Sequence, residues 1–369
     1  MAKPFTRPSL RAQGKMFWAS LLRASGLLYL AKKWVERNGG IVLTFHRVLT
    51  DSELQQTASL SGMIVRRETF SSFLQYASKS CEFIDVAHEQ EWKPNGRLKL
   101  AVTFDDGWCD NATAVYPIAR QYKTPIAIFI VPKKTGTALP FWPERTAAAL
   151  DCGPSGDAGF DANYIEHAIE ELKALPATER ERRISEMTAA RNALHSAAVD
   201  RTMTWEQIAE LHAGGVRFGS HTSTHEILTT ISVAQAEHEI TSSRALIEQK
   251  LSETCSLFSY PNGDCSEPVR GLVARAGYKL AFLNQIPGVW TRDCDPFLIP
   301  RVNVCEYHLV DSRGNFSPII FDYAVVWSAA KGLLARLLTS RRKKLQGRWQ
   351  NLLVKPEKPA EKKQLEKIL

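Results

Sequence analysis

"LKLAVTFDDG", residues 98–107, decides how the rest of the chain is read. Leu98 to Phe104 is a β-branched, apolar run, the pattern of a buried strand, and it stops at two adjacent acids, Asp105 and Asp106. Adjacent strand residues point to opposite faces, so two carboxylates at a strand end can take different tasks, and Gly107 lets the backbone turn tightly after them. The same residues also suit a plain surface turn or a helix cap, and this stretch alone leaves both readings open.

Working outward, similar short apolar runs recur: 40–48, 83–86, 126–131, 216–222, 257–261, 279–284 and 297–304. Helical patterns fit between several of them. Thr204 with Gln207 and Ser232 with Gln235 have capping-box spacing, which predicts a helix start at each. Strands alternating with helices imply a parallel β/α sheet or barrel. Residues 133–203 break the rhythm; rich in Ala, Glu and Arg with a Gly/Pro/Asp patch at 151–161, they read as an inserted helical segment over one face.

The chain has 369 residues, 44% of them hydrophobic, enough for one large domain with attachments or two smaller ones. Seven scattered cysteines without a CxxC pair argue against a disulfide framework or a thiolate zinc site and fit a reducing compartment. The net charge of +8 belongs to the ends: residues 1–38 carry +7 and 331–369 carry +9, leaving about −8 between them. The apolar stretch from Met16 to Leu30 is interrupted by Arg23 and lacks a convincing cleavage site, so it reads as a basic amphipathic helix rather than a secretory signal. Phe17, Leu21, Leu28 and Trp34 would lie near an interface, with Lys15, Arg23, Lys32 and Lys33 toward anionic headgroups. The apolar run 319–338, broken by Asp322, Lys331 and Arg336, is a poor membrane span. Helices packed on the core beside a solvated charge run explain both ends equally well. The basic ends lack any aromatic-studded platform, and an acidic middle argues against nucleic acid.

Working residues of β/α folds sit at the carboxyl ends of strands. "SHTSTH" (220–225) places His221 and His225 four positions apart at such an end, facing one point if a helical turn starts there. Two imidazoles and a carboxylate suit a divalent cation, although each histidine can equally cap or pack locally.

Together, "TFDDG" (103–107), "SHTSTH", "FSYPNG" (258–263) and the opening "LTFHRV" (43–48) resemble, in order, the motifs of the polysaccharide deacetylase family, the rhizobial chitooligosaccharide-deacetylase-like carbohydrate esterases, in the style of the poly-N-acetylglucosamine deacetylase branch. The resemblance covers about residues 40–305. It implies a deformed (β/α) barrel; taken with the charge pattern, this divides the chain into a basic amphipathic segment at 1–38, a catalytic domain at 39–310 carrying the insertion, and an apolar helix with a basic, partly disordered tail at 311–369. It further implies Asp106, His221 and His225 as ligands of a divalent metal, zinc being favoured, Asp105 as general base, and the Tyr260 backbone N–H at the oxyanion. The Pro261–Asn262–Gly263 turn would wall the substrate site. Two departures stand out: no arginine in the third motif orients the base, and the late leucine–histidine motif that supplies the acid is missing.

His46, ending the first strand, is the expected proton donor in its place, the other reading being a histidine hydrogen-bonded beside the site. Arg301 is expected either at substrate or in an ion pair, and Trp108 either stacked on a sugar or packed under the insertion, an ambiguity shared by Trp142 and Trp290. The implied activity is removal of N-acetyl groups from amino sugars in a polysaccharide or glycan intermediate, in exopolysaccharide or cell-surface biosynthesis. A cytoplasmic protein, peripheral at the inner membrane face, is the expected setting. Hydrolysis of another linear amide and a catalytically silent membrane-surface module are the alternatives.

Overall fold

The structure is a computed structural model that describes residues 10–88, 94–138, 141–150, 162–190, 198–284 and 287–339. These contain strands β1 (Gly40–Phe45), β2 (Arg47–Leu49), β3 (Ile64–Arg66), β4 (Cys81–Phe83), β5 (Leu98–Phe104), β6 (Ile126–Ile130), β7 (Arg217–Ser220), β8 (Leu257–Ser259), β9 (Leu280–Phe282) and β10 (Arg301–Asn303). Seven of them run in parallel in the order β10-β1-β5-β6-β7-β8-β9. β4 pairs the first half of β5 and β6 the second half. Closure comes from the β10 region, where Ile299 pairs Phe282 of β9 and Arg301 pairs Val42 of β1. The result is a nearly closed (β/α) barrel. Only β3, which pairs β2, lacks a counterpart among the apolar runs, because "IVR" at 64–66 is too short to stand out.

Buried on both faces, the barrel strands read as continuous apolar runs, yet their side chains divide by parity. Val42, Ala101, Ala127, Phe129, Leu257 and Phe282 belong to one buried cluster, the barrel interior, whereas Leu43, Leu100, Val102, Ile128 and Phe258 belong to a larger one beneath the helices. The interior parity of β5 continues from Ala101 through Thr103 to Asp105. Thr103 meets Thr44 at 3.3 Å, so the filling turns polar before the mouth is reached.

Both capping boxes form, at Thr204 for helix Trp205–Ala213 and at Ser232 for helix Val233–Leu251. The insertion supplies helices Trp142–Leu150, Ala162–Lys173 and Ala177–Ala190; its Gly/Pro/Asp patch lies outside the described residues, as do residues 340–369.

The terminal helices pack on the barrel. Leu10–Ala24 and Leu27–Asn38 bury Ala19, Leu28, Ala31 and Val35. Leu28 therefore faces the core rather than an interface. Lys15 is buried as well, donating to the carbonyls of Tyr307 and Val310, because this helix crosses the segment that follows β10. Lys32 pairs with Asp322 at 3.8 Å and Lys33 with Glu36 at 2.7 Å, so of the four cations expected to face headgroups these three have protein partners. Helix Pro318–Thr339 is long and apolar enough to cross a membrane by length and composition. Its Ile320, Phe321, Val325, Val326, Ala329 and Leu333 are buried, as in a core helix.

Candidate active site

The site lies at the carboxyl ends of β5, β7 and β8, with Arg301 reaching in from the start of β10. Asp105 extends the β5 ladder, its N–H donating to the Phe45 carbonyl at 3.0 Å. Its carboxylate meets Arg301, two strand positions up from Ile299 on the interior parity of β10. Arg301 Nη1 donates to Oδ1 at 2.9 Å and Nη2 to Oδ2 at 2.6 Å, a bidentate fork. The same guanidinium donates to Ser259 Oγ at 2.8 Å, Thr103 Oγ1 at 3.3 Å and the Leu283 carbonyl at 3.2 Å. Burial by itself raises the Asp105 carboxyl and is the largest single influence, but the charge and hydrogen bonds of Arg301, with His221 and His46 nearby, together outweigh it and hold the group well below the usual carboxylate range. Arg301 is thus no substrate contact: it is 1% exposed and its fork is spent inside the protein. It also answers the missing third-motif arginine, since a different strand supplies the charge that keeps Asp105 ionised.

Asp106 diverges for another reason than strand pleat. Its φ of 74° and that of Gly107, 73°, are both left-handed, so the chain kinks out of the strand at Asp106, a conformation that aspartate tolerates better than most residues. The kink turns Asp106 Oδ1 toward the two histidines, 3.7 Å from His221 Nε2 and 3.4 Å from His225 Nε2. Nor is there a helical turn between those histidines. Thr222 and His225 adopt φ of 64° and 72°, and the loop is held by Thr222 Oγ1, which accepts from the His225 N–H at 3.0 Å, and by Glu239, which accepts from the Thr224 N–H and hydroxyl at 2.8 Å each. The i, i+4 spacing converges through this loop.

His221 Nδ1 lies 2.8 Å from the Ser259 carbonyl, which can only accept, so the ring proton sits on Nδ1 and the Nε2 lone pair points at Asp106. Burial pulls His221 down to about 4 and His225 to about 3, keeping both imidazoles neutral. Two neutral nitrogens and one carboxylate oxygen thus lie within 4.8 Å of one another, and among the described residues no Lys or Arg forms an ion pair with Asp106. That donor set fits a divalent cation with open positions, as expected for Asp106, His221 and His225.

The support behind Asp106 was not legible in the sequence. Trp108, expected to stack on a sugar or pack under the insertion, is 0% exposed, so no sugar can reach it. Its Nε1–H donates to Asp106 Oδ2 at 3.0 Å and its ring lies edge-on to Phe141 of the insertion, which also covers His225. The other face of the indole carries Arg47, 4.2 Å from the ring centre and fully buried. Arg47 donates to Asp110 at 3.0 Å, to Thr57 and Ser59 at 3.0 Å each, to the Val199 carbonyl at 2.7 Å, and to Asp200. The returning end of the insertion is thereby strapped to the Asp106 side of the mouth; Met203 N–H also donates to the Gly107 carbonyl at 2.9 Å. Glu144, on the first insertion helix, is buried in the same region, accepts from Ser59 Oγ at 3.4 Å, and is pushed up to about 8 by burial and then by the Asp106 charge.

Tyr260 does not offer its N–H to an oxyanion: that N–H donates to the Phe282 carbonyl at 3.2 Å in the β8–β9 pairing, and the buried phenol donates to the Phe297 carbonyl at 3.0 Å. In the following turn Pro261 and Gly263 are buried and Asn262 is exposed, its amide donating to Asp264 at 2.6 Å. Gly263, with φ 74°, is required here because a Cβ would stand 2.6 Å from the Asn284 nitrogen. His46 is half-buried at the end of β1, close enough for its charge to act on both Asp105 and His225, and its Nδ1 is buried without a partner. Trp290 is a core residue against Phe282. Trp142 is half-buried on the insertion under Arg180, which lies 5.0 Å from its ring.

A parallel barrel that opens on paired aspartates and two histidines is the architecture of carbohydrate deacetylases. The chain belongs to the polysaccharide deacetylase family, whose model matches residues 93–281, just over half of the chain. The putative polysaccharide deacetylase YxkH of Bacillus subtilis (strain 168) is 22% identical over 215 residues, 58% of this chain and 54% of that protein, so the match spans about half the length of this curated relative. Among solved structures, the Streptococcus pyogenes deacetylase PplD in complex with acetate superposes with a TM-score of 0.50 at 18% identity, over 76% of this chain and 99% of that one. A polysaccharide deacetylase from Bacillus cereus gives 0.50 at 14% identity, over 75% and 67%. At these identities the two structures speak for the shared fold.

Proposed function

We propose that this chain is a metal-dependent hydrolase that removes N-acetyl groups from N-acetylated amino sugars in a glycan. The observation that carries the reading is the divergence of two adjacent carboxylates: Asp105 is neutralised by Arg301, while Asp106, ion-paired to no Lys or Arg among the described residues, joins two neutral imidazoles. Asp106, His221 and His225 would hold the divalent ion, which supplies Lewis acidity that acidifies water and draws charge from the acetamide oxygen. Asp105, kept ionised by Arg301, accepts the proton from the attacking water. The carbonyl carbon gains that oxygen, the C–N bond breaks, and His46 gives a proton to the departing amine, leaving acetate and a free amino sugar. Arg301 and Ser259 hold the base in place, and the insertion closes the metal-ligand side through Phe141, packed on Trp108 and His225.

Zinc suits the nitrogen-rich set, and exopolysaccharide or cell-surface glycan synthesis is the setting that matches the motif style. The test is metal content together with acetate release from N-acetylglucosamine oligomers. Wild type should hold about one divalent ion per chain and release acetate; Asp105→Asn should keep the ion without turnover, and His221→Ala should lose both. Metal bound without acetate release would reject the substrate class, and absence of metal would reject the ligand set. His46→Ala should lower turnover far more than metal content; full turnover in that variant removes His46 as the donor.

A further inference from the structure

Among the described residues twelve large hydrophobic side chains are exposed, and nine of them lie on the helices that flank the barrel at the two ends of the chain. The densest group is on the N-terminal pair, where Phe17, Trp18, Leu21, Leu27, Tyr29 and Leu30 are 42–63% exposed. These two helices are anchored from the opposite side by Ala19, Leu28, Ala31 and Val35, and Gly26, with φ 77°, makes the turn that joins them. Lys15 pins the first helix to the segment just beyond β10, on the mouth side of the barrel. An apolar group of this size on a packed surface calls for a partner.

Charge decides which partner. Exposed Arg23 sits between Leu21 and Leu27 and exposed Arg37 ends the second helix; with Lys15, Lys32 and Lys33 committed to protein partners, the other basic residues of this end are Lys3, Arg7 and Arg11, and residues 331–369 carry +9. A second copy of the chain would bring two strongly basic faces together, and so would the chain's own C-terminal tail folded over the helices; like charges at an interface oppose both. Nucleic acid offers anions but no apolar phase for Phe17, Leu21 and Leu30. A bilayer with anionic headgroups offers both, and Trp18 and Tyr29 are side chains that favour its interfacial layer. We propose that the N-terminal helix pair is a docking face for an anionic lipid surface, which would hold the barrel mouth beside the membrane.

The test is co-sedimentation of the full chain with phosphatidylcholine vesicles, with and without phosphatidylglycerol. Wild type should bind the anionic vesicles and release as salt is raised, since screening weakens attraction between exposed charges. Phe17→Ser/Trp18→Ser/Leu30→Ser should lose about tenfold or more of that binding, and Arg23→Glu should lose a smaller share. Both variants change exposed residues remote from the ligand set and should retain the wild-type melting temperature and acetate release from soluble oligomers. Absence of vesicle binding, equal binding to neutral vesicles, or undiminished binding by the triple variant would each overturn the proposal. A wild-type dimer dissociated by the triple substitution would overturn it in favour of a second copy.

Discussion

Asp105 and Asp106 are consecutive and nearly equally buried, at 2% and 4% exposure, but the two sides of the barrel mouth that receive them are built differently. On the interior side the carboxylate is matched within the fold: Asp105 has Arg301, and Arg301 has Ser259, Thr103 and the Leu283 carbonyl. On the insertion side Asp106 has only one oxygen satisfied, by Trp108, while the other faces two imidazole nitrogens that cannot neutralise it. A buried anion with a fixed countercharge stays ionised and in place, as a base requires. One that shares its surroundings with lone pairs is short of a cation, as a ligand requires.

The comparison breaks most visibly at Arg301. Replacing it with Gln leaves Asp105 buried and unpaired, which should cost roughly 3–5 kcal/mol of stability. The same change raises the Asp105 carboxyl toward neutral pH. Because the base acts only when ionised, the acidic limb of the rate profile should move to higher pH and turnover near neutrality should fall about a hundredfold. Metal content should stay at the wild-type level; a parallel loss of metal would show that the two sides are not separate.

On the other side, Trp108→Phe keeps the ring under Arg47 and removes the N–H that holds Asp106. Outer-shell partners of this kind typically contribute about 10–100-fold in metal affinity, so competition with a chelator should show weaker binding while the acidic limb set by Asp105 stays where it is. An unchanged metal affinity would reduce Trp108 to a packing residue.

The smallest effect belongs to Glu144. With its folded pKa raised to about 8, the folded chain keeps a proton there that the unfolded chain has lost, from the ordinary carboxyl range up to about 8. Unfolding releases that proton, so wild type loses stability across the window as pH rises. Glu144→Gln does not titrate, and its melting temperature should gain on wild type between pH 5 and pH 8. A constant gap between the two curves would refute the raised pKa.

Local patterns carry what a sequence shows by itself. The continuous apolar runs at 98–104 and 126–130 are strands because burial on both faces demands it, and the capping boxes at Thr204 and Ser232 start helices through hydrogen bonds three residues long. The barrel, and the four acids and histidines at its mouth, were legible for the same reason: each lies at the end of a recognisable strand. Tertiary structure alone decided what stands behind them. Arg301 meets Asp105 across 196 positions of sequence, and Arg47 meets Asp200 across 153, pairings that depend on barrel closure and on the return of the insertion rather than on any local pattern. Tyr260 shows the converse, since its motif points to an oxyanion donor but sheet register gives that N–H to Phe282. Spacing specifies which residues arrive at the mouth, whereas charge pairing, burial and backbone hydrogen bonding, set only once distant segments meet, specify which atoms remain available there.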